Sequence, residues 1–238
     1  MRLVQETSNL FRLTRFGMIN CFLVREDDGF TLVDTGLPGS APTILAHARR
    51  LGSQVRRIAL THAHFDHVGS LDALWKNNPA IDLSVGAREA PLLAGDLSLR
   101  PGESGKKLRG FMRVETRPTR TLCDGDRIGS LQSIFSPGHT PGHVAYFDVR
   151  DGSLLAGDAF NTQIGLVAAG VFKPYFPFPA WFSWNRFLAA ESAAKLRNLK
   201  PSCLAVGHGR TIISPLELMN RAVELAFLQA GKMERNPN

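Results

Sequence analysis

Cysteine is scarce in this sequence, and the three cysteines lie far apart. Cys21, Cys123 and Cys203 form no CxxC pair, so neither a disulfide framework nor a zinc-finger spacing is visible. Cys21 and Cys203 stand inside apolar segments and are expected to be small core residues.

Long apolar runs are also absent. A membrane-spanning helix needs about 20 predominantly apolar residues in succession, and no segment of the 238 residues reaches that length. The chain opens with MRLVQETSNLFRL, which places Glu6 and other polar residues where a signal peptide carries its apolar stretch. We therefore expect a cytoplasmic protein without a membrane-spanning segment. Disorder is expected only at the polar residues 232–238.

Blocks of like charge are missing too, although the formal net charge is +7. The densest basic group runs from Lys106 to Arg120, where Phe111 is the only aromatic residue that could stack on a base. This distribution argues against nucleic-acid binding. We expect a small-molecule substrate, and a homodimer stays open as an alternative to a monomer.

The order of strand and helix signals predicts the fold class. With 44% hydrophobic residues, the chain can bury a full core as one domain over residues 1–238. Two halves, roughly 1–120 and 121–238, each contain strand signals followed by a helix, a strand and a helix. This order predicts an α/β (α+β) fold in which two sheets pack face to face with helices outside, a four-layer αβ/βα sandwich.

Individual elements follow from local patterns. The segments that predict strands are LFRLT, MINCFLV, FTLVDTG, residues 57–60, LQSIFSP, VAYFDV, SLLAGD and residues 202–206. Helices are predicted after a cap at Ser40, from near Val68, and over residues 185–199 and 216–230.

Two long connections, residues 90–120 and 163–184, carry weaker signals of secondary structure and are expected to be lids or binding loops. The second is rich in aromatic residues. Phe172, Phe176 and Trp181 are its candidates for a substrate-pocket wall, with burial of a helix or of a dimer interface as the alternative role.

The segment 61–67, Thr-His-Ala-His-Phe-Asp-His, is the strongest functional signal. It follows an apolar strand and contains four residues that can ligate metal: His62, His64, Asp66 and His67. Alternation along an extended backbone puts His62 and His64 on the same side. Asp66 and His67 are expected to point elsewhere, so that one loop can serve two metals.

Three single residues occupy similar places later in the chain. His139 follows a strand within SPGHTPGH, Asp158 ends the apolar run LLAGD, and His208 stands in VGHG. Each is a ligand-type residue after an apolar strand, with neighbouring glycines that allow a sharp turn. We expect these residues to complete a metal site with the 61–67 loop.

Together these motifs resemble the metallo-β-lactamase superfamily. HxHxDH, GHTPGH, a GD after a strand and a late GHG appear in that family's order from Asp34 to His208. The resemblance implies the metallo-β-lactamase fold and a metal-dependent hydrolase.

The resemblance also implies a role for each motif residue. One metal would be held by His62, His64 and His139, the other by Asp66, His67 and His208, and Asp158 would bridge the two. Asp34 would orient the histidine loop without touching metal, and His143 would support the site in a similar way.

The implied cofactor is a pair of Zn²⁺ ions, with iron or manganese as alternatives, because the ligands are imidazoles and carboxylates without thiolate. Two such metals share a bridging hydroxide that acts as the nucleophile. Asp66 is the candidate catalytic residue that moves a proton to the leaving group.

Differences from the motifs of particular branches of the superfamily reduce the number of reactions to be expected. True β-lactamases have Cys or Ser where this chain has Asp158, and diiron flavoproteins have Glu where it has His64. What remains is the glyoxalase II-like and lactonase-like branch, which cleaves thioesters, esters or lactones, and the chain departs from both patterns. Glyoxalase II holds glutathione with basic residues and a Tyr of its C-terminal helical region, where this chain has Arg221 and Lys232 but no Tyr. Lactonases often place a Tyr shortly after the bridging Asp, where this chain has Ala159, Phe160 and Asn161.

Two other functions remain as alternatives. A persulfide dioxygenase-like oxidoreductase would use one iron, held by His62, His139 and Asp158. A metal-dependent nuclease is supported only by the basic charge, and metal identity and salt-dependent nucleic-acid binding would separate these classes.

Overall fold

The structure is a computed structural model that describes residues 1–234. Of the tail predicted to be disordered, residues 232–234 belong to the backbone of the last helix, and residues 235–238 lie outside the described residues. Among the described residues, no helix is both long enough and apolar enough to cross a membrane. The cytoplasmic location stays a prediction.

Within residues 1–234 the first half of the chain forms a seven-stranded sheet in sequence order. Its strands pair antiparallel from β1 to β4 and parallel from β4 to β7. The strands are β1 Arg2–Gln5, β2 Leu10–Arg15, β3 Ile19–Glu26, β4 Gly29–Val33, β5 Val55–Ala59, β6 Asp82–Gly86 and β7 Arg120–Leu122.

The second half forms a six-stranded sheet and a separate two-stranded ribbon. The sheet has the order β15-β14-β11-β10-β9-β8, and only β11 and β14 pair parallel. Its strands are β8 Arg127–Ile128, β9 Leu131–Phe135, β10 Val144–Asp148, β11 Ser153–Leu155, β14 Cys203–Ala205 and β15 Ile212–Ile213; the ribbon pairs β12 Phe160–Asn161 with β13 Val167–Ala168.

The described helices lie between and after these strands. They are α1 Ala41–Arg50, α2 Phe65–Val68, α3 Leu71–Asn77, α4 Glu89–Leu93, α5 Phe178–Trp181, α6 Arg186–Asn198 and α7 Leu216–Glu234.

Three hydrophobic clusters lie at the three interfaces of a four-layer sandwich. In β3, Phe22 packs with residues of the second sheet, whereas its neighbour Leu23 packs with α1 and α3. In β11, Leu155 faces the first sheet and Leu154 faces α6 and α7. Alternate residues of a strand point to opposite faces, so each sheet buries both faces. The predicted αβ/βα architecture is confirmed.

The two sheets divide the chain between Leu122 and Arg127, close to the predicted division at residue 120. That all 238 residues form one domain stays a prediction. Several short elements were not predicted, among them β1, β6 and α4. They lack a clear period because they are short or, as in β6, mix polar residues into a buried strand.

One expected helix start and one expected helix cap need correction. The helix after the histidine loop begins at Phe65 rather than near Val68, so Asp66 and His67 lie in its first turn. Ser40 does precede α1, but its hydroxyl accepts a hydrogen bond from Arg15 Nη1 at 3.1 Å instead of capping the helix.

Candidate metal centre

The ends of parallel strands bring the candidate ligands together. Asp34 directly follows β4, and the 61–67 loop follows β5, which pairs with β4 in parallel. In the second sheet His139, Asp158 and His208 follow β9, β11 and β14, which all run in the same direction. Carboxyl ends of strands that run in one direction meet at one edge of a sheet, so each sheet contributes one edge to the site.

Hydrogen bonds between the halves hold these two edges against each other. The Val144 N–H donates to the Thr61 carbonyl at 2.9 Å, and the Asn20 N–H donates to the Gly207 carbonyl at 2.9 Å. The buried Asn20 side chain also donates to the carbonyls of Val206 and Gly209. These contacts fix loops that carry ligands from opposite halves.

One ligand cluster consists of imidazoles alone. His64 Nδ1 lies 3.1 Å from His62 Nε2 and 3.1 Å from His139 Nε2. All three rings are buried. Three nitrogen atoms that converge in this way could hold one metal ion.

A second cluster combines carboxylate and imidazole. His208 Nε2 lies 3.2 Å from Asp66 Oδ2, and His67 Nε2 lies 4.0 Å from the same oxygen. These three residues could hold another metal ion.

Asp158 contacts both clusters. Its Oδ2 lies 3.1 Å from His208 Nε2 and 3.5 Å from His139 Nε2, and its Oδ1 lies 3.3 Å from His67 Nε2. The seven predicted ligands therefore lie together, with Asp158 where a bridging ligand would be.

The donor set fits a metal. Among the buried side-chain atoms that the structure describes, His67 Nε2 and Asp158 Oδ1 are without a hydrogen-bond partner although they face each other. Buried polar atoms are nearly always satisfied, and an imidazole nitrogen and a carboxylate oxygen are both ligands for divalent cations. A cation between them would satisfy both.

Asp34 lies behind the second cluster, as the resemblance implies. Its carboxylate accepts hydrogen bonds from Thr61 N and Thr61 Oγ1 at 2.8 Å each, and it lies 2.7 Å from His67 Nδ1. Its φ of +60° lies in the left-handed region, which Asp adopts more readily than most residues other than glycine. From this position one carboxylate fixes both the start of the loop and the orientation of the His67 ring.

His143 contacts the site through the backbone of Asp158. Its Nε2 accepts a hydrogen bond from the Asp158 N–H at 3.1 Å, and its Nδ1 lies 2.9 Å from Ser136 Oγ. The ring is buried, so both nitrogens need these partners. His143 thus lies where a supporting residue would, and its role stays a prediction.

The two clusters differ in how protons are held. Burial and the neighbouring imidazoles lower the pKa of His62 well below its usual value, and burial lowers the pKa of His64 to about 4. Burial also acts on His208, but Asp158 and Asp66 outweigh it and raise its pKa to about 10. Without metal, burial therefore favours neutral His62 and His64 in the first cluster, whereas the two carboxylates favour a protonated His208 in the second.

Glycine is required where backbone approaches the ligands. A Cβ at Gly207 would lie 2.2 Å from Asp158 Oδ1 and 2.7 Å from His67 Cε1. Gly157 has a φ of +49°, and a Cβ there would lie 2.7 Å from His143 Nε2. These contacts explain the glycines before His208 and Asp158 in physical terms.

Glu89 was not predicted, yet it connects the ligand loops. Its fully buried carboxylate accepts hydrogen bonds from Ala63 N at 2.9 Å, from Gly142 N at 3.0 Å and from the Thr140 hydroxyl. Ala63 lies between His62 and His64, and Thr140 follows His139. One carboxylate therefore ties the two loops that carry the imidazole cluster.

A pocket of about 260 Å³ opens on the ligands. Besides His64, Asp66, His139, Asp158 and His208, it is lined mostly by apolar side chains, and Asn161 is its neutral polar residue. The remaining lining residues are Met18, Ile19, Phe65, Gly110, Phe176, Phe178, Pro179 and Phe182.

Of the aromatic residues expected to form this wall, Phe176 does so. Phe172 lies against α7, where its backbone N–H donates to Gln229 Oε1 at 2.7 Å. Trp181 lines a neighbouring recess and packs on Phe178. The structure thus places Phe178 and Phe182 at the pocket in their stead. They lie one helical turn apart, at the start of α5 and just after its end, and a helix of four residues is too short to be recognised from its period.

Fold and site together define a class of metal-binding hydrolases. The family model described as the metallo-beta-lactamase superfamily matches residues 14–208. That range contains all seven candidate ligands, and the protein belongs to this superfamily.

Curated relatives agree with this assignment. The chain is 44% identical to the uncharacterized protein YobT of Bacillus subtilis over 87% of this chain and 90% of that one. It is 30% identical to the probable metallo-hydrolase YflN of the same organism over 79% and 78% of the two chains. Hydroxyacylglutathione hydrolase of Aeromonas hydrophila is 33% identical, but the match covers only 50% of that protein.

Solved structures share the fold. BJP-1, a subclass B3 metallo-beta-lactamase of Bradyrhizobium japonicum, has a TM-score of 0.69 and 23% identity over 99% of this chain and 94% of that one. TTHA1623, solved in a di-iron-bound form, has a TM-score of 0.64 and 28% identity over 86% and 94% of the chains.

Proposed function

We propose that the protein is a dinuclear zinc hydrolase that cleaves an ester, lactone or thioester with an apolar acyl group. The observation that supports this best is the apolar pocket that opens directly on the ligand cluster. Burial of hydrocarbon contributes about 0.8 kcal/mol per CH₂, so such a pocket favours an acyl chain over a phosphodiester.

The chain offers ligands for two cations. His62, His64 and His139 would hold one, Asp66, His67 and His208 would hold the other, and Asp158 would be shared. This donor set suits zinc, with iron or manganese as alternatives. Bound cations of this kind lower the pKa of water to about 7 and polarise a substrate carbonyl.

Asp66 is the residue that would move the proton. Burial acts to raise its pKa, but His67 and His208 lower it to about 2, so the carboxylate is ionised where it lines the pocket. It would take up the proton of the attacking hydroxide once the new carbon–oxygen bond has formed. It would then return that proton to the oxygen or sulfur of the leaving group as the acyl bond breaks.

Asn161 would orient the substrate. Its Oδ1 accepts a hydrogen bond from Gln163 N at 2.8 Å, which fixes the amide and leaves the Nδ2 donors for a group in the pocket. A hydrogen-bond donor in an apolar pocket determines the direction in which a carbonyl-containing substrate enters. The similarity to a hydroxyacylglutathione hydrolase supports a thioester among the candidate bonds.

Metal content and turnover test this proposal together. Protein purified from cells supplied with zinc, iron and manganese should contain close to two zinc ions per chain by elemental analysis, and should hydrolyse members of a panel of acyl esters, lactones and thioesters. Close to one iron per chain with oxygen consumption on a persulfide would overturn the proposal in favour of the dioxygenase. Cleavage of oligonucleotides alone would favour the nuclease.

The acyl-chain length that the protein prefers tests the role of the pocket. Phe176→Ala should shift the preferred acyl chain towards longer groups, with each added CH₂ gaining up to about fourfold in kcat/KM. Phe172→Ala is the matched control, because that ring belongs to the same loop but lies outside the lining. Identical chain-length profiles for both variants and the wild type would assign Phe176 to packing.

A further inference from the structure

A second recess adjoins the metal pocket and has the opposite character. It is lined by Lys106, Lys107, Arg109 and Trp181. The metal pocket is lined mostly by apolar side chains, so two neighbouring spaces differ sharply in charge.

The two spaces share their walls. Arg109 lines the recess, and the next residue, Gly110, lines the metal pocket. The Trp181 ring packs on the ring of Phe178, a metal-pocket residue, with centroids 5.9 Å apart. Lys106 Nζ donates to the Ala180 carbonyl at 3.1 Å, which fastens the basic segment to the aromatic loop. One ligand can therefore reach both spaces.

The cations of the recess have no acidic partner. Among the residues that the structure describes, no carboxylate lies within 4.0 Å of the charged groups of Lys106, Lys107 or Arg109, whereas Arg88 pairs with Glu103 at 2.7 Å and Arg150 with Asp148 at 2.6 Å. Burial and the nearby positive charges of Arg186 and Arg109 lower the pKa of Lys106. An anion in the recess would relieve this repulsion.

We propose that this recess binds an anionic group on the leaving-group side of the substrate. The inference rests on the proposed hydrolase function and names its substrate class. The acyl chain would occupy the apolar pocket, the scissile bond would lie over the ligand cluster, and a phosphate or carboxylate of the alcohol or thiol would lie among the three cations. Such a substrate is an acyl ester or thioester rather than a lactone, since a lactone has no separate leaving group.

Matched thioesters test the recess. We would compare kcat/KM for hexanoyl pantetheine and hexanoyl pantetheine 4′-phosphate, which differ only in the phosphate, and add hexanoyl glutathione as the carboxylate arm. Fields of clustered charge raise association with an anionic ligand by about tenfold or more and weaken with salt. The ratio of an anionic to the neutral thioester should therefore be about 10 or more at low salt and fall towards 1 at high salt. A salt-dependent preference within the phosphate pair identifies phosphate, and a salt-dependent preference for hexanoyl glutathione alone identifies carboxylate.

The variant Lys107→Gln/Arg109→Gln should reduce this ratio towards 1. The control Arg49→Gln/Arg50→Gln removes the same charge from the exposed end of α1 and should keep the wild-type ratio. A wild-type ratio near 1 for both anionic thioesters, or equal losses in both double variants, would overturn the proposal.

A binding measurement separates this inference from the hydrolase proposal. The thioethers S-hexyl pantetheine and S-hexyl pantetheine 4′-phosphate resist hydrolysis, and their Kd values can be measured by calorimetry. Tighter binding of the phosphorylated thioether by the wild type, but not by Lys107→Gln/Arg109→Gln, supports the recess even if no thioester is cleaved. Equal Kd values, or binding of an oligonucleotide more tightly than of this thioether, would contradict it.

Discussion

The two halves of the molecule contribute to the candidate metal centre in opposite ways. The first half supplies His62, His64, Asp66 and His67 from one continuous segment after β5. The second half supplies His139, Asp158 and His208 from the ends of three different strands. In the first half, ligands are close because they are neighbours in sequence. In the second half, they are close only because β9, β11 and β14 run in one direction within a folded sheet.

This difference indicates where the site is vulnerable. Ligands that are adjacent in sequence keep their relative positions when distant packing changes. Ligands from different strands keep theirs only if the register of the whole sheet is preserved. Contacts that join the halves, such as the Asp158 carboxylate and the Glu89 carboxylate, therefore decide whether seven residues act as one centre.

The largest effect is expected when the ligand that contacts both clusters is removed. Asp158→Ala should lower turnover of a cleaved ester by about 1000-fold or more and reduce metal content in both clusters, because Asp158 contacts His139, His67 and His208. His208→Ala is the comparison, since it removes only one member of the second cluster.

Elemental analysis of both variants measures this difference. We expect about one metal per chain in His208→Ala and less in Asp158→Ala. Full metal content and wild-type turnover in Asp158→Ala would show that the halves do not share this ligand.

An intermediate effect is expected at Glu89. Among the described residues, all three hydrogen bonds of its carboxylate are ones that it accepts, from Ala63 N, Gly142 N and the Thr140 hydroxyl. Glu89→Gln places an amide NH₂ against the backbone N–H of Ala63 or of Gly142. Loss of such a supporting contact should weaken metal affinity and kcat/KM by about 10- to 100-fold.

Competition with a chelating dye measures the affinity, and Thr140→Val serves as the matched variant. It removes one donor but leaves the carboxylate and both backbone donors, so its loss should be smaller. If Glu89→Gln bound metal as tightly as Thr140→Val, the carboxylate would not be what aligns the two loops.

The same difference between the two halves explains which candidate ligands could be predicted from the sequence. The 61–67 segment was readable because a period of two in extended backbone places His62 and His64 together, as the structure has them. His139, Asp158 and His208 each resemble an ordinary strand-end residue, and only the family's order of motifs joined them to the loop. The four-layer architecture followed from the order of strands and helices and is confirmed.

The role of Glu89 and the identity of the aromatic residues in the pocket wall could not be predicted from the sequence. Glu89 lies in the first turn of α4, where an acidic residue is commonplace because it complements the helix dipole. Two of its partners are backbone N–H groups, which leave no mark on the sequence. In the aromatic loop, composition indicated an apolar wall, but the choice of Phe178 and Phe182 over Phe172 depends on tertiary packing.

The smallest expected effect is on the pH dependence of stability, which reports whether Glu89 is ionised. Burial raises its pKa from 4.5 to about 7, although hydrogen bonds from Thr140, Ala63 and Gly142 act in the opposite direction. A group whose pKa is higher in the folded than in the unfolded state contributes stability that is full below the unfolded pKa and is lost as pH rises through the folded pKa. The stability of the metal-free wild type relative to Glu89→Gln should therefore fall between about pH 4.5 and 7 and stay level above that range.

Thermal unfolding of chelator-treated protein at pH 5 to 8 measures this change, since metal binding has its own pH dependence. The difference in Tm between the wild type and Glu89→Gln should shrink by a few degrees across the range, as expected for a chain of this size. Glu103→Gln is the control, because Arg88 lowers the pKa of Glu103 and the corresponding difference should be flat above pH 5. Parallel Tm curves for the wild type and Glu89→Gln would mean that Glu89 stays ionised throughout, so that its three donors outweigh its burial.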